Sequence, residues 1–449
     1  MRPGPANPAV LAKEDLPAVS ETGNLHQPAK RKLCFLREER AELFPHFVNG
    51  SEFLHRPSFC TFGLISEETA LLYENKNWKR ECPASRWSSE TLFRVPEFRD
   101  SPFPDSRTPG LRDILFEGVP AEGKASPVFA YIGMPEGPAP ESGFPGIVLI
   151  HGGGGTAFPA YVRLWVSYGY AVIAPDWYNS RPVIAPGSRG DESSVPDRTP
   201  LKGGWRQDHA VNIGNMVLAH SLLRSLPEVN PEKTGFIGLS WGSWYGAIVA
   251  AVDSRFRFVL AIYCGGCSRK LDPGMPFFEF TDGRFLHAAR VPVCWIAGTN
   301  DQNVVLEQIQ DAWEECPTAF NKSFIIELPH SHAGFIFPAC RRTADAFLQN
   351  GTHLPILTDT KLKDGILSAR IKSPGKGDLK PVICFLPDGP MPEKTWDRVW
   401  YKKPAQIEGD CISAPVPDNA VQCFLSAYDE ESRFDDCCGS SDLVILKQV

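Results

Sequence analysis

The feature that most constrains the fold of this chain is a regular alternation of short apolar runs with helix-like segments, from about Leu111 to about Gly351. Several runs are wholly apolar, which is typical of parallel strands covered on both faces. Strands that alternate with helices build a mostly parallel sheet. The predicted strands are Asp113–Glu117, Val128–Ile132, Gly146–Ile150, Ala171–Ala174, Thr234–Gly238, Phe258–Tyr263, Val293–Ala297 and Phe324–Glu327. The predicted helices are Tyr161–Ser167, Trp205–Leu226, Ser243–Val252, Val304–Glu315 and Pro338–Leu348.

The segments on either side of this alternation have a different character. Residues 1–110 carry too little apolar periodicity for a core of their own, so we expect an irregular extension that wraps the next domain. Residues 111–355 are predicted to form the α/β domain. Residues 356–449 contain short alternating runs separated by Gly, Pro and Asp, which predicts a small all-β domain of the sandwich type.

Composition excludes several classes of protein. Hydrophobic residues make up 43% of the 449 and charged residues 22%, close to globular averages, and no apolar run is long enough to span a membrane. A net charge of -7 without a long basic run argues against nucleic acid or a lipid surface as a partner. The first residues lack a run of signal-peptide length, which predicts a cytoplasmic protein.

Thirteen cysteines are scattered along the chain, and we expect most of them to be buried free thiols. Cys264 and Cys267 form a C-x-x-C pair, but no second pair follows at zinc-site spacing. A glycine-rich turn is therefore the favoured interpretation of this pair, with a metal or redox role as the alternative. The sequence predicts no metal site.

The strongest chemical motif is Gly238-x-Ser240-x-Gly242, which follows a short apolar strand and precedes a helix. This order is typical of a nucleophile elbow, in which a serine on a sharp turn presents its hydroxyl at the carboxyl edge of a sheet. The flanking glycines let strand and helix approach closely. Ser240 is the predicted nucleophile.

A second motif lies upstream, where an apolar strand ends in His151 and four glycines. Acyl transfer creates an oxyanion, which needs backbone N–H donors aimed at it. We expect Gly152 or Gly153 to supply one donor and Trp241, the residue after the nucleophile, to supply the other.

The same glycine loop permits a different interpretation. Gly152-x-Gly154-x-x-Ala157 imitates a dinucleotide-binding fingerprint, and Asp176 lies at the end of the next strand, where an acidic residue would bind a ribose. An NAD-dependent oxidoreductase that uses the loop from Gly152 to Ala157 is therefore an alternative.

A serine nucleophile needs a histidine base and an orienting carboxylate, which follow it in the order acid, then histidine, in a sheet of this kind. Asp301 follows a strand and is the predicted acid, with a helix cap as its alternative role. His332 is the favoured base because it lies just before a glycine turn, and His330 is the alternative. Four other histidines precede the acid and are expected to be structural or to line the pocket: His151, His209, His220 and His287.

At these motifs the chain resembles the α/β-hydrolase superfamily, and more narrowly bacterial acetylxylan esterases, dienelactone hydrolases and prolyl-oligopeptidase-like hydrolases. The segments that carry the resemblance are Val128–Gly133, His151–Phe158, Asp253–Phe256, Gly298–Asp301 and Leu328–His332, within about residues 110–355. The resemblance implies an α/β-hydrolase fold and hydrolysis of small esters, often on acylated carbohydrates, without metal or organic cofactor. It also implies that a β-sandwich can follow the catalytic domain.

The sequence therefore predicts a serine esterase that forms an acyl-enzyme on a small-molecule ester. A prolyl-oligopeptidase-like peptidase and a non-catalytic binding protein on the same fold are further alternatives. We expect two segments, Tyr178–Gly204 and Gly265–Phe285, to shape the pocket, and neither carries a signature that ranks acetyl, feruloyl and methyl esters. The oligomeric state stays open.

Overall fold

A nine-stranded mixed sheet is the centre of the fold in the computed structural model, which describes residues 88–120, 123, 126–185, 198–201, 209–263, 285–390, 392, 394–432 and 437–447. The strands up to residue 325 are β1 Phe98–Asp100, β2 Arg112–Glu117, β3 Pro127–Gly133, β4 Phe144–Ile150, β5 Ala171–Pro175, β6 Ser180–Pro182, β7 Arg198–Pro200, β8 Val229–Leu239, β9 Phe258–Ile262, β10 Val293–Gly298 and β11 Ala319–Ile325. Strands β6 and β7 form a separate two-stranded ladder.

The order of strands in the large sheet is β1-β2-β3-β5-β4-β8-β9-β10-β11. The run from β5 to β11 is parallel, whereas β1 and β3 are antiparallel to their neighbours. The chain leaves β4 towards β5 and later returns to the other side of β4 as β8. Ligand sites of open α/β sheets lie at such a reversal of strand order, at the carboxyl ends of the strands.

Helices cover both faces of the sheet. They are α1 Ser89–Phe93, α2 Pro159–Ser167, α3 His209–Ser225, α4 Trp241–Val252, α5 Leu306–Glu315 and α6 Pro338–Leu348. Helices α3, α4 and α5 contribute to one apolar core, and α2 and α6 contribute to a second core on the opposite face. This is the α/β-hydrolase fold, which confirms the fold class predicted from the sequence. None of the helices in these described ranges is long and apolar enough to cross a membrane.

Most of the predicted elements are present, and the largest difference is in the last strand of the sheet. Strand β11 spans Ala319–Ile325 rather than Phe324–Glu327. Its middle residues Asn321, Lys322 and Ser323 are polar but buried, and the Lys322 and Ser323 side chains bond to Asp442 and to the Cys438 carbonyl in the C-terminal part of the chain. Because these residues are polar, a prediction based on apolar runs misses most of the strand.

Two antiparallel sheets follow the last helix. Their strands are β12 Ile356–Lys363, β13 Ile366–Ser373, β14 Lys380–Pro387, β15 Tyr401–Pro404, β16 Gln406–Glu408, β17 Cys411–Pro415, β18 Ala420–Tyr428, β19 Cys438–Ser440 and β20 Val444–Ile445. One sheet has the order β12-β13-β17-β16, and the other has the order β15-β14-β18-β19, with β20 also paired to β18. Apolar residues of both sheets share a core, as in a β-sandwich.

The cysteines in the described residues are free, and all of them except Cys411 are buried. Burial raises the pKa of the Cys423 thiol to about 11, so this thiol is unreactive at neutral pH. The pair Cys264 and Cys267 lies outside the described residues.

The C-terminal sheets are joined to the nine-stranded sheet and its helices through a shared core and a buried ion pair. Trp400, Phe424 and Leu443 belong to the same apolar cluster as helices α3 and α4. Arg342 on α6 donates to Asp429, with Nη1 2.7 Å from Oδ1. The Asp429 side chain has no exposed surface. Burial alone would raise the pKa of Asp429. The Arg342 guanidinium and backbone N–H groups oppose this effect and hold that pKa below its ordinary value.

We expect Arg342→Ala to lower the free energy of unfolding by about 3–5 kcal/mol, because it leaves a buried carboxylate without its cation. Urea unfolding followed by fluorescence measures this loss. Arg370→Ala is the matched control, since Arg370 pairs with Asp410 at 2.8 Å but both side chains are about two-thirds exposed. The control should cost less than about 1 kcal/mol. Equal losses in the two variants would contradict the buried pair as the joint between the domains.

Candidate active site

The turn between β8 and α4 holds Ser240 in an unusual backbone conformation. Its φ is 54° and its ψ is -117°, a region that side-chain-bearing residues rarely occupy. Ser240 N donates to Ile262 O at 2.8 Å, and Trp244 N donates to Ser240 O at 3.0 Å. Such strain costs about 1–3 kcal/mol and persists at functional sites where the surrounding structure imposes it.

The two glycines of the motif are required by close backbone contacts. A Cβ on Gly238 would lie 2.2 Å from Gly242 O, and a Cβ on Gly242 would lie 2.3 Å from Ile150 O. Helix α4 therefore begins in direct contact with the end of β4. This contact brings Ser240 beside the glycine loop, where a Cβ on Gly152 would lie 3.1 Å from the Ser240 Cβ.

The loop between β10 and α5, residues 299–305, is called the acid loop here. Several hydrogen bonds hold Asp301 in this loop. Its Oδ1 accepts from Asn303 N at 2.7 Å and from Val304 N at 2.9 Å. Its Oδ2 lies 2.7 Å from His330 Nδ1. The side chain of Asp301 is only 2% exposed. Asp301 thus stabilises its own turn and pairs with a histidine, whereas the N-cap of the next helix is Val305, so Asp301 is not the helix cap of the alternative interpretation.

The loop between β11 and α6, residues 326–337, is called the histidine loop here. It directs the two candidate histidines to different places. Glu327 has a φ of 60°, and a Cβ on Gly298 would lie 1.8 Å from Leu328 O, so the loop turns tightly over the end of β10. This turn places His330 against Asp301. The His330 ring also packs on Tyr263, with ring centroids 4.7 Å apart.

His332 instead packs against Gly155 of the glycine loop. A Cβ on Gly155 would be 2.7 Å from its Nε2, and its ring packs on Phe158 with centroids 4.9 Å apart. Nε2 is shielded from solvent, and no residue in the described part of the chain forms a hydrogen bond with it. Burial lowers the pKa of His332 to about 3, and the nearby charges of His151, His330 and Arg198 act in the same direction. The structure therefore pairs Asp301 with His330 and not with His332, the base that the sequence favoured.

The glycine loop itself is fixed by side chains that the sequence analysis did not identify. Gly154 N donates to Tyr178 Oη at 2.9 Å, and Arg198 Nη1 donates to Gly155 O at 2.9 Å. The Arg198 guanidinium also lies over the Tyr178 ring, 4.5 Å from its centroid. On the other side, a Cβ on Gly153 would lie 2.5 Å from Trp241 Cδ1. Tyr178 and Arg198 belong to the predicted pocket-shaping segment 178–204, of which residues 186–197 and 202–204 lie outside the described residues, as do residues 265–284 of the second segment.

Asp176 is engaged inside the protein. Its Oδ2 accepts from Thr156 Oγ1 at 2.6 Å, and its Oδ1 accepts from Ser180 Oγ at 3.0 Å. The residue is 1% exposed. It holds the glycine loop and is not presented to a ribose, which removes the geometric basis of the dinucleotide alternative.

A second buried pair of aspartate and histidine has a structural role. His220 Nδ1 lies 2.7 Å from Asp253 Oδ2, and its Nε2 lies 2.8 Å from Thr234 Oγ1. Burial lowers the pKa of His220 to about 4, against the opposing influence of Asp253. Thr234 lies before the apolar stretch of β8, so this pair is at the opposite edge of the sheet from Ser240. Among the described residues, no group of three or more His, Cys, Asp or Glu side chains could hold a metal ion.

Comparison with known proteins gives one family match. A sequence model of the dienelactone hydrolase family matches residues 128–339, which include the glycine loop, the elbow, the acid loop and both histidines. The match supports assignment of this segment as a hydrolase and confirms the resemblance drawn from the motifs. No curated protein matches the chain.

Solved structures with a similar fold include two esterases and one hydrolase. An acetyl xylan esterase from Paenibacillus sp. R4 is 17% identical, with 63% of this chain and 96% of that chain covered and a TM-score of 0.42. Acetyl xylan esterase 1 from Thermoanaerobacterium sp. JW/SL YS485 is 16% identical, with coverage of 64% and 99% and a TM-score of 0.41. A putative dienelactone hydrolase from Klebsiella pneumoniae subsp. pneumoniae MGH 78578 is 14% identical, with coverage of 53% and 98% and a TM-score of 0.37.

Substitution of Gly238 by alanine tests the close contact at the elbow. Its new methyl group would meet the backbone of Gly242, so we expect the free energy of unfolding to fall by about 3 kcal/mol or more. Gly137→Ala is the control, because Gly137 has a φ of 89° but open space around it. The free energy of unfolding of that variant should fall by only about 1–2 kcal/mol, because alanine is strained at a positive φ. Urea unfolding of both variants measures the difference, and a smaller loss in Gly238→Ala would contradict the contact.

Proposed function

We propose that this protein is a serine hydrolase that cleaves small carboxylic esters through an acyl-enzyme. Ser240 is the nucleophile, His330 the general base and Asp301 the carboxylate that orients it. The observation that carries the proposal is the Asp301–His330 contact beside a strained serine turn. In this assignment His330, the alternative base, replaces His332.

The surroundings of His330 support this choice. Ser240 N is bonded to Ile262 O, and the next residue, Tyr263, packs on the His330 ring. The imidazole thus lies over the end of β9, adjacent to the elbow. Its Nδ1 is occupied by Asp301, so Nε2 is the nitrogen left to accept the serine proton.

The proposed reaction has two acyl transfers. Ser240 Oγ bonds to the carbonyl carbon while its proton passes to His330 Nε2, and the alkoxide leaves with that proton as the ester C–O bond breaks. Water then attacks the acyl-enzyme by the same route and restores the hydroxyl. The backbone N–H of Trp241 and that of Gly152 or Gly153 stabilise the oxyanion, each worth about 3–4 kcal/mol.

The proposed triad does not by itself define the substrate class. An acyl-serine mechanism serves esters and amides alike, so fold alone does not choose between an esterase and a peptidase. The resemblance to acetylxylan esterases and the family match favour a small-acyl ester, with an acylated carbohydrate as the natural substrate. Rates on acetylated sugars, feruloyl esters, methyl esters and aminoacyl p-nitroanilides rank these classes, and faster turnover of the anilides would favour the peptidase.

Ser240→Ala should lower hydrolysis of p-nitrophenyl acetate by about 10⁴-fold or more, because the nucleophile is lost. Labelling by a fluorophosphonate probe should also disappear. Ser167→Ala, which removes an exposed hydroxyl bonded to Leu164 O on α2, should change neither readout. Retained hydrolysis in Ser240→Ala would overturn the proposed function.

His330→Gln and His332→Gln distinguish the two candidate bases. We expect kcat of His330→Gln to fall by about 10⁴-fold, since no group remains to accept the serine proton. His332→Gln should fall less than about tenfold, because its imidazole is not oriented by a carboxylate. Initial rates at saturating p-nitrophenyl acetate measure both, and the opposite ranking would restore His332 as the base.

A further inference from the structure

Residues 394–400, called the C-terminal loop here, lie between β14 and β15 and contact the acid loop directly. Thr395 Oγ1 donates to the backbone carbonyl of Asp301 at 2.9 Å. Asn300 Nδ2 donates to Trp396 O at 2.9 Å and to Arg398 O at 2.8 Å. Asn300 is only 4% exposed, so these bonds form away from bulk water. Three hydrogen bonds thus join the two domains at the position of the proposed catalytic carboxylate.

These bonds act on the backbone that determines where the carboxylate lies. Oδ1 of Asp301 is bonded to N–H groups of its own loop, so the side chain moves with that loop. Oδ2 meets His330 at 2.7 Å. A small displacement of the loop would therefore lengthen the Asp301–His330 contact, and hydrogen bonds weaken with such displacement.

The same contacts continue to the histidine loop. Thr299 Oγ1 donates to Asn300 Oδ1 at 2.7 Å and accepts from Glu327 N at 2.9 Å. Glu327 begins the turn that brings His330 to Asp301. The C-terminal loop, the acid loop and the histidine loop are therefore connected by one set of hydrogen bonds.

The C-terminal loop is itself well fixed. Residues 395–397 form a single 3-10 turn, in which Arg398 N donates to Thr395 O at 3.1 Å. Trp400 follows and is 5% exposed, with its ring 5.5 Å from that of Phe424 in the shared core. The loop can thus serve as a rigid support for the acid loop.

We propose that the C-terminal β domain is part of the catalytic apparatus, with Thr395 as a positioning residue for Asp301 and Asn300 as a second one. The inference rests on the proposed function, since it assigns a support to the acid of that site. It gives the domain a role in the chemical step rather than in capture of the substrate.

Thr395→Val tests the hydroxyl with little change of shape. We expect kcat for p-nitrophenyl acetate to fall roughly tenfold, which corresponds to the loss of one hydrogen bond. KM should stay within about twofold, because Thr395 does not touch the substrate. Thr395→Ser keeps a hydroxyl and should retain at least half of the wild-type kcat. Thr358→Val, the same change on a half-buried residue of β12, should have no effect.

A double-mutant cycle with Asp301→Asn separates positioning from general structural damage. If Thr395 acts through the carboxylate, Thr395→Val should lower kcat less than twofold in the Asp301→Asn background, measured at high enzyme concentration against a Ser240→Ala blank. Thermal unfolding of Thr395→Val should stay within a few degrees of the wild type.

The outcomes keep the two proposals apart. Activity that survives Ser240→Ala defeats the proposed function itself. If Ser240→Ala is inactive and Asp301→Asn keeps a low but measurable kcat, three results overturn the positioning role alone: an unchanged kcat in Thr395→Val, no rescue by Thr395→Ser, or an equal tenfold loss in both backgrounds of the cycle.

Discussion

The close approach of helix α4 to the end of strand β4 is the constraint on which the site depends. Because Gly242 allows no side chain between the helix and Ile150 O, the elbow and the glycine loop meet at one point. The backbone N–H groups expected to bind the oxyanion lie on these two segments. The strain at Ser240 is maintained because α4 is buried along nearly its whole length, so the turn cannot relax without loss of core packing.

The parts of the fold that could be predicted are those encoded by local patterns. Apolar runs indicated the strands of the sheet, and two glycines around Ser240 indicated the elbow, because each signal lies within about ten residues. Strand β11 was displaced in the prediction because Lys322 and Ser323 are buried polar residues whose partners lie more than a hundred residues away. Edge strand β1 lies in a segment expected to be irregular, and its three residues are too short for a periodic signal.

Local sequence patterns also failed to choose the base of the candidate site. Sequence order narrowed the base to two histidines two residues apart, but the choice depends on where the loop turns. That turn is made by the positive φ of Glu327 and by the contact of Leu328 O with Gly298, and neither has a periodic signature. Thr395 was missed for a related reason, since its partner Asp301 is distant in sequence and is reached only through the packing of two domains.

The buried joint between the two domains has a consequence for synthesis of the chain. Trp400, Phe424 and Leu443 fill the same apolar cluster as the nine-stranded sheet and helices α3 and α4. A nascent chain that has emerged only as far as α6 would leave this apolar surface and the Arg342 guanidinium exposed, without Asp429. The core of the α/β part is therefore completed only after residues 400–443 have been made, and a shorter nascent chain exposes apolar surface that favours aggregation.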